Sequence, residues 1–339
     1  MPTVQVSGTH LQFYFTDSGA PSTLSDYTTF ILIHGHSFHG VFRKLLPLAP
    51  AHSVRVICIN RREYPGSTPH TAEELAIYAS GTEEERNVLV HQAGVHLALA
   101  IDGIMQQCAL PSAGCVAIAG WSLGNAFVLA AVAAIMDLPA PARERLQSSV
   151  KTIIMWDPPS MALGIADPSQ AYTPLHDQNL SLAARVPAFG KWVSSYYVHN
   201  DLATYDPEQL NYRDADPSRK ATFEDMPVKE LLTLVDFTVG DKCDTALLEP
   251  RFVSVLASST NKALFDPEIR NVWKDVKIVH LYGQADQWTS LFAVGHMKKR
   301  VEEAQGRPPI TFRCNEGANH FIMWEDPDFT LKELLECTK

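Results

Sequence analysis

One serine of this sequence lies in a short motif that could turn its hydroxyl into a nucleophile. The motif is G-W-S-L-G at residues 120–124, with Ser122 at its centre. Apolar residues 115–119 precede it, and good helix formers at residues 126–134 follow it. Strand, G-x-S-x-G and helix in this order predict a sharp turn that lifts the serine hydroxyl above a sheet. Both glycines are needed, because a side chain two positions from the serine would clash with the crossing backbone.

These residues resemble the α/β-hydrolase fold family, and the match covers residues 4–160 and 276–339. The family places its catalytic groups in the order Ser, acid, His. The resemblance therefore implies Ser122 as nucleophile and His320 as base, because His320 lies in the loop after the last predicted strand, residues 310–314. The base would remove the proton of the serine hydroxyl during attack on a carbonyl.

Two aspartates are candidates for the acid that orients His320. Asp286 follows the predicted strand 276–282 in the pattern Gly-x-x-Asp, the usual acid position of the family, and it is favoured. Asp157 ends the predicted strand 152–156 and is the alternative acid, since the family also uses that position. Asp157 could instead accept hydrogen bonds within its own Asp-Pro-Pro turn. The acid would fix the histidine tautomer and stabilise the imidazolium.

Acyl transfer also requires two N–H groups that bind the developing oxyanion. One would belong to Leu123, directly after the nucleophile. By resemblance to the His-Gly loop of the family, the other is the N–H of His36, in the loop 34–40 that follows the predicted strand 28–33. Four further residues are expected to contact substrate: Gly35, Trp192, Tyr196 and Trp288.

The same loop supports a different kind of site. His34, His36 and His39 form H-x-H-x-x-H, which resembles the first metal motif of metallo-β-lactamase-type hydrolases. Three imidazoles can bind zinc. That family expects Asp before the third histidine, where this chain has Phe38, and no second ligand set follows. A metallohydrolase is therefore the minor alternative, and no metal is expected.

The elements that must position these residues alternate between apolar strands and helices. We expect an α/β fold with a mostly parallel, doubly wound sheet of about eight strands, covered on both faces. Residues 160–268 interrupt the alternation with an aromatic stretch that lacks a clear strand. We expect residues 1–159 and 269–339 to form the core and residues 160–268 to form a helical cap above the strand ends, where ligands bind.

Composition excludes several classes of partner. The chain has 339 residues, with 28 Lys and Arg against 38 Asp and Glu, and a net charge of -10. Without a basic cluster, neither nucleic acid nor a membrane is an expected partner. No stretch is expected to reach the length of a membrane span. The six scattered cysteines form no C-x-x-C pair and predict free thiols of a cytoplasmic protein. Since neither G-x-G-x-x-G nor a P-loop is present, no cofactor is expected.

The resemblance implies a hydrolase, specifically a carboxylic ester hydrolase or lactonase. Its substrate would be an apolar small molecule bound beneath the aromatic cap. Two alternatives use the same fold. One is a C–C bond hydrolase with the same Ser-Asp-His set, and the other is a biosynthetic cyclase or a ligand-binding protein.

Overall fold

The computed structural model describes residues 2–22, 26–111 and 115–339, with Leu182 described by its backbone alone. Eight strands in these residues form one sheet. They are β1 (Thr3–Gln5), β2 (Gln12–Asp17), β3 (Thr28–Ile33), β4 (Val54–Ile59), β5 (Cys115–Trp121), β6 (Val150–Trp156), β7 (Lys277–Gly283) and β8 (Ile310–Asn315). The predicted strands 28–33, 152–156 and 276–282 are confirmed as β3, β6 and β7, and the runs 115–119 and 310–314 lie in β5 and β8. β1 and β2 form an antiparallel hairpin.

The strand order in the sheet is β1-β2-β4-β3-β5-β6-β7-β8. β2 pairs antiparallel with β4, and every pairing from β4 onward across the sheet is parallel. Parallel neighbours require crossover connections, which the intervening helices supply. This architecture confirms the predicted α/β fold with a mostly parallel sheet of eight strands.

The α-helices of the described residues alternate with the strands after β4. They are α1 (Ala72–Ser80), α2 (Glu83–Gln107), α3 (Gly124–Ala133), α4 (Ala140–Ser149), α5 (Leu182–Val193), α6 (Val228–Leu231), α7 (Phe237–Val239), α8 (Pro250–Phe265), α9 (Pro267–Val272), α10 (Trp288–Glu303), α11 (Ile322–Glu325) and α12 (Pro327–Thr338). Local sequence explains where α1 and α2 begin. Thr71 and Thr82 each accept a hydrogen bond from the backbone three residues on, and a glutamate there returns one.

Helices cover both faces of the sheet, and β3 shows how. Ile31 and Ile33 belong to one buried cluster, together with residues of α2 and α3. Phe30 and Leu32 point the other way, into a cluster with residues of α12. Side chains alternate across a strand, so a strand that is apolar throughout must be buried on both faces. The doubly wound prediction is therefore confirmed.

One expectation about α2 is wrong. By length and composition α2 could cross a membrane, although no such stretch was expected. Its apolar residues instead pack within the protein, since 56% of its most apolar window is buried inside the fold. Gly94 explains how closely it packs: a Cβ at this position would lie 2.3 Å from the carbonyl oxygen of Ala130 in α3.

The chain between β6 and β7 contains no strand, and its backbone is described throughout. It includes α5 to α9, several short 3-10 turns and one π-helical turn at Gly240–Asp244. α8 lies against α3 and α2, and its residues Ala263 and Leu264 join the cluster on that face of the sheet. Phe189 and Trp192 of α5 belong instead to the cluster on the opposite face, with Trp121.

Candidate active site

Ser122 occupies a sharp turn between β5 and α3. Its φ is 54°, a conformation that is uncommon for a residue with a side chain. The turn is possible only because its neighbours lack a Cβ. On Gly120 a Cβ would lie 2.8 Å from the Cα of Asn125, and on Gly124 it would lie 2.3 Å from the carbonyl oxygen of Ile33. The glycines predicted to be necessary are thus necessary for steric reasons.

The side chain of Asn125 holds this turn to the neighbouring strand. Its Nδ2 donates to the carbonyl oxygens of Ser122 at 2.8 Å and of Trp156 at 3.0 Å. The N–H of Ser122 also donates to Trp156, at 2.9 Å. Asn125 is fully buried. The turn is therefore fixed to the end of β6, one residue before Asp157.

Asp286 and His320 form a buried pair at the same edge of the sheet. His320 Nδ1 lies 2.9 Å from Asp286 Oδ2. The backbone N–H of Gln287 donates to the other carboxylate oxygen at 2.8 Å. Since the pair is at most 1% exposed, water does not compete for these bonds. A carboxylate that accepts from Nδ1 leaves Nε2 as the basic nitrogen of the ring.

The loop that carries His320 is fixed against the residue preceding the serine. Trp121 Nε1 donates to the backbone carbonyl of His320 at 3.0 Å, and the two rings lie 4.8 Å apart. Nε2 of His320 has no hydrogen-bond partner among the described residues, so its bond to Ser122 is not formed in this state. Catalytic hydrogen bonds in unliganded enzymes are often long and tighten when substrate binds.

Asp157 brings a second carboxyl to the pair. Ligand atoms of Asp157, Asp286 and His320 all lie within 4.8 Å of one another. The backbone N–H of Gly283 donates to Asp157 Oδ1 at 2.8 Å. Its Oδ2 has no hydrogen-bond partner among the residues described. Both predicted acid positions therefore meet at one histidine, and only Asp286 bonds to its ring.

Burial and charge assign different protonation states to these groups. Burial lowers the pKa of His320, so its ring is neutral at neutral pH. Burial and the neighbouring Asp286 raise the pKa of Asp157 well above its usual range. Burial also raises the pKa of Asp286, to about 7, although hydrogen bonds from Ser290 and Gln287, and the side chain of Asp157, lower it. Of two adjacent carboxyls only one ionises readily, and Asp286 has the better donors.

Two backbone N–H groups near Ser122 are free to bind an anion. In the part of the chain that is described, no protein acceptor pairs with the N–H of His36 or of Leu123. Gly35 brings its loop close to the serine, since a Cβ there would lie 2.6 Å from the Cβ of Ser122. The predicted donors thus lie on the two backbone segments that flank the serine.

Two of the three histidine rings of this loop, those of His34 and His36, are hydrogen-bonded to protein groups. His34 bonds through Nδ1 to the carbonyl of Gly35 and through Nε2 to the N–H of Arg61. His36 bonds through its two nitrogens to the hydroxyls of Ser37 and Thr245. The structure therefore does not present these rings together as ligands. Within the described residues, the one group of three ligand atoms is Asp157, Asp286 and His320.

A small apolar cavity of about 70 Å³ opens onto Ser122. Its walls include the predicted residues Trp192 and Trp288, together with Met161, Phe189 and Leu248. Sites for drug-sized ligands are typically several times larger, about 300 Å³ or more. The volume of this cavity therefore suits a short aliphatic chain.

Tyr196, also predicted to contact substrate, lies elsewhere. It lines an open surface groove with Lys44 and Trp324. The Arg219 guanidinium lies 3.3 Å from the centre of its ring. Tyr196 thus packs beneath an arginine outside the cavity.

Sequence reasoning missed a buried ion pair behind the loop of His36. Arg61 donates to both oxygens of Asp244, at 3.0 and 2.6 Å. The hydroxyl of Tyr64 also donates to Asp244, at 2.5 Å. No local pattern reveals this pair, because its members are 183 positions apart. The available signal was weak: two adjacent arginines, Arg61 and Arg62, separated from the end of β4 by one residue.

Comparison with known proteins agrees with this architecture. The sequence profile described as "Alpha/beta hydrolase family" matches residues 30–333. A search of curated proteins returns no match. Solved structures with a similar fold include a serine hydrolase from the polyaromatic-hydrocarbon-degrading bacterium Cycloclasticus zankles. It has 12% identity and a TM-score of 0.56, and the match covers 98% of this chain and 95% of that chain.

Two further similar structures come from other bacteria. A bromoperoxidase from Bacillus anthracis has 11% identity and a TM-score of 0.53, with 99% of this chain and 98% of that chain covered. A putative aryl esterase from Burkholderia cenocepacia has 16% identity and a TM-score of 0.52, with 99% and 96% covered. At these identities the likeness is one of fold.

Proposed function

This chain belongs to the alpha/beta hydrolase family, and we propose that it is a serine hydrolase that cleaves an ester or lactone of an apolar small molecule. The observation that carries the proposal is the buried hydrogen bond between Asp286 and His320, which leaves Nε2 of the ring free. It accompanies a serine in a strained turn at the bottom of an apolar cavity. The order Ser122, Asp286, His320 is the one expected of the family.

In the proposed reaction, the oxygen of Ser122 attacks the substrate carbonyl carbon while His320 Nε2 takes its proton. The carbonyl π electrons move to oxygen, and the N–H groups of His36 and Leu123 stabilise that negative charge. The imidazolium then gives its proton to the departing alcohol oxygen, which leaves an ester on Ser122. For a lactone, the alcohol stays attached to the acyl chain.

Water completes the cycle. His320 removes a proton from a water molecule, whose oxygen attacks the ester carbonyl on Ser122. The second tetrahedral intermediate collapses with proton return to the serine oxygen and releases a carboxylic acid. The Asp286 carboxylate, bonded to Nδ1, stabilises the imidazolium each time it forms.

The segment at residues 160–268 is proposed to be a cap that selects the substrate. It supplies the cavity walls Met161, Phe189, Trp192 and Leu248. Apolar walls with few polar groups favour an apolar acyl chain. Because the cavity holds only about 70 Å³, acetate and butyrate esters should be cleaved faster than esters of long acids.

Replacement of Ser122 by alanine tests the proposal. We expect Ser122→Ala to remove measurable hydrolysis of p-nitrophenyl butyrate and labelling by a fluorophosphonate probe, with an unchanged thermal unfolding midpoint. The control is Ser195→Ala, another buried serine, whose hydroxyl donates to the carbonyl of Lys191 at 2.7 Å. Full activity in Ser122→Ala, or a wild-type chain that the probe does not label, would refute the proposal.

A further inference from the structure

The buried pair behind the candidate oxyanion site contacts the peptide that carries one of its donors. Besides Asp244, Arg61 donates through Nη2 to the carbonyl of Gly35 at 2.9 Å and through Nε to the carbonyl of His34 at 3.1 Å. The Gly35 carbonyl and the His36 N–H belong to one planar peptide group and point in opposite directions. Holding the carbonyl therefore sets the direction of the N–H.

We propose that Arg61 and Asp244, linked through Tyr64, are positioning residues that hold the oxyanion loop (residues 34–37) in its catalytic geometry. The inference rests on the proposed function of Ser122. Tyr64 restrains the next peptide as well, since its oxygen accepts from the N–H of Ser37 at 2.8 Å while its own proton goes to Asp244. The Gly35–His36 peptide and the His36–Ser37 peptide are thus both restrained by hydrogen bonds from this network.

The restraint depends on the ion pair being complete. Arg61 and Asp244 have side-chain exposures of 5% and 1%. A buried guanidinium without its carboxylate would be an uncompensated charge, and removing one partner of such a pair is strongly destabilising. The neighbouring Arg61 holds the pKa of Asp244 at about 2, so the carboxylate stays ionised across the working range. The ion pair therefore stays intact, and continues to restrain the loop, across the working pH range.

Asp244 of this pair lies on the segment between β6 and β7, so the loop and that segment are ordered together. Thr245, next to Asp244, bonds through its hydroxyl to Nε2 of His36 at 3.0 Å. The N–H of Asp236 donates to the carbonyl of Ser37 at 2.9 Å. These bonds come from residues about 200 positions later in the chain. We infer that the oxyanion donor of His36 is correctly directed only when this segment is docked.

The test compares two buried tyrosines. Tyr64→Phe removes the hydroxyl that joins Asp244 to the N–H of Ser37, and it leaves the ring in place. Tyr78→Phe is the matched control, because Tyr78 is also buried and lies in the same apolar cluster. The measurements are kcat and KM per titrated active site, inhibition by phenylboronic acid, and amide hydrogen exchange of residues 34–37.

For Tyr64→Phe we expect kcat to fall about 10-fold to 100-fold. This fall should not exceed the one caused by losing a whole oxyanion donor. We expect KM within twofold of wild type, weaker boronic acid inhibition, and faster amide exchange in the loop. Tyr78→Phe should change none of these. Asp244→Asn should show the same pattern with a larger fall in kcat, provided that it folds.

Three results would overturn the proposal, and one separates it from the proposed function. Unchanged kcat in Tyr64→Phe, unchanged exchange of residues 34–37, or equal effects in Tyr78→Phe would each show that the network only packs the core. If exchange rises in Tyr64→Phe but Ser122 of the wild-type chain never reacts with the probe, the proposed function fails while the restraint on the loop is supported.

Discussion

Replacement of Gly35 by alanine should lower the rate of catalysis by displacing its loop or Ser122. An added Cβ would lie 2.6 Å from the Cβ of Ser122 and 3.1 Å from both its Oγ and the carbonyl oxygen of Trp121. Carbon atoms in contact prefer about 3.5 Å or more, so the loop or the serine must move by about 1 Å. A misplacement of that size costs about 10²-fold in rate, or about 2.7 kcal/mol of transition-state stabilisation.

The assay is hydrolysis of p-nitrophenyl butyrate, with the active-site concentration titrated by a fluorophosphonate probe. We expect kcat of Gly35→Ala to fall about 100-fold and the rate of probe labelling to fall in parallel. Gly190→Ala is the control, since its added Cβ would meet only the Phe237 ring at 3.8 Å. Activity of Gly35→Ala within threefold of wild type would show that the loop and Ser122 do not need this close approach.

The two carboxyls and the histidine give two further predictions. Asp286→Asn should lower kcat/KM about 10³-fold to 10⁴-fold, because an amide cannot stabilise the imidazolium. The fall in kcat/KM for Asp157→Asn should be at least tenfold smaller. If Asp157→Asn instead shows the larger fall, Asp157 is the acid. Because burial lowers the pKa of His320, the neutral base persists below the usual histidine range. A profile of kcat/KM against pH should therefore fall on the acid side with a midpoint below about 6.5, and a midpoint above that value would contradict the assignment.

The sequence predicted the sheet well because its signals are local. The central strands β3 to β7 are mainly apolar, and the turn at Ser122 requires glycines at two fixed positions. The catalytic order Ser, acid, His was implied by the resemblance to a family, and the family profile confirms that resemblance. The hydrogen bond between Asp286 and His320 could be anticipated for the same reason, since each residue follows a strand end at the same edge.

Features that depend on long-range packing were not predictable. Tyr196 looked like a cavity residue because it is aromatic and lies near Trp192, but the arginine above it belongs to a different loop. The meeting of Asp157 with Asp286 requires the register of β6 against β7. The pair of Arg61 and Asp244 joins segments on either side of β5 and β6. A single sequence carries no local pattern for such contacts.

Asn125 sets a limit on how this protein can be redesigned. From its position in the sequence, directly after the motif, it would be an obvious choice for randomisation in a directed-evolution library. Its amide nevertheless ties the carbonyl oxygen of Ser122 to that of Trp156. Libraries that vary position 125 should consist mostly of inactive clones, whereas Met161 and Leu248, which only line the cavity, are the better sites for broadening the range of accepted acyl chains.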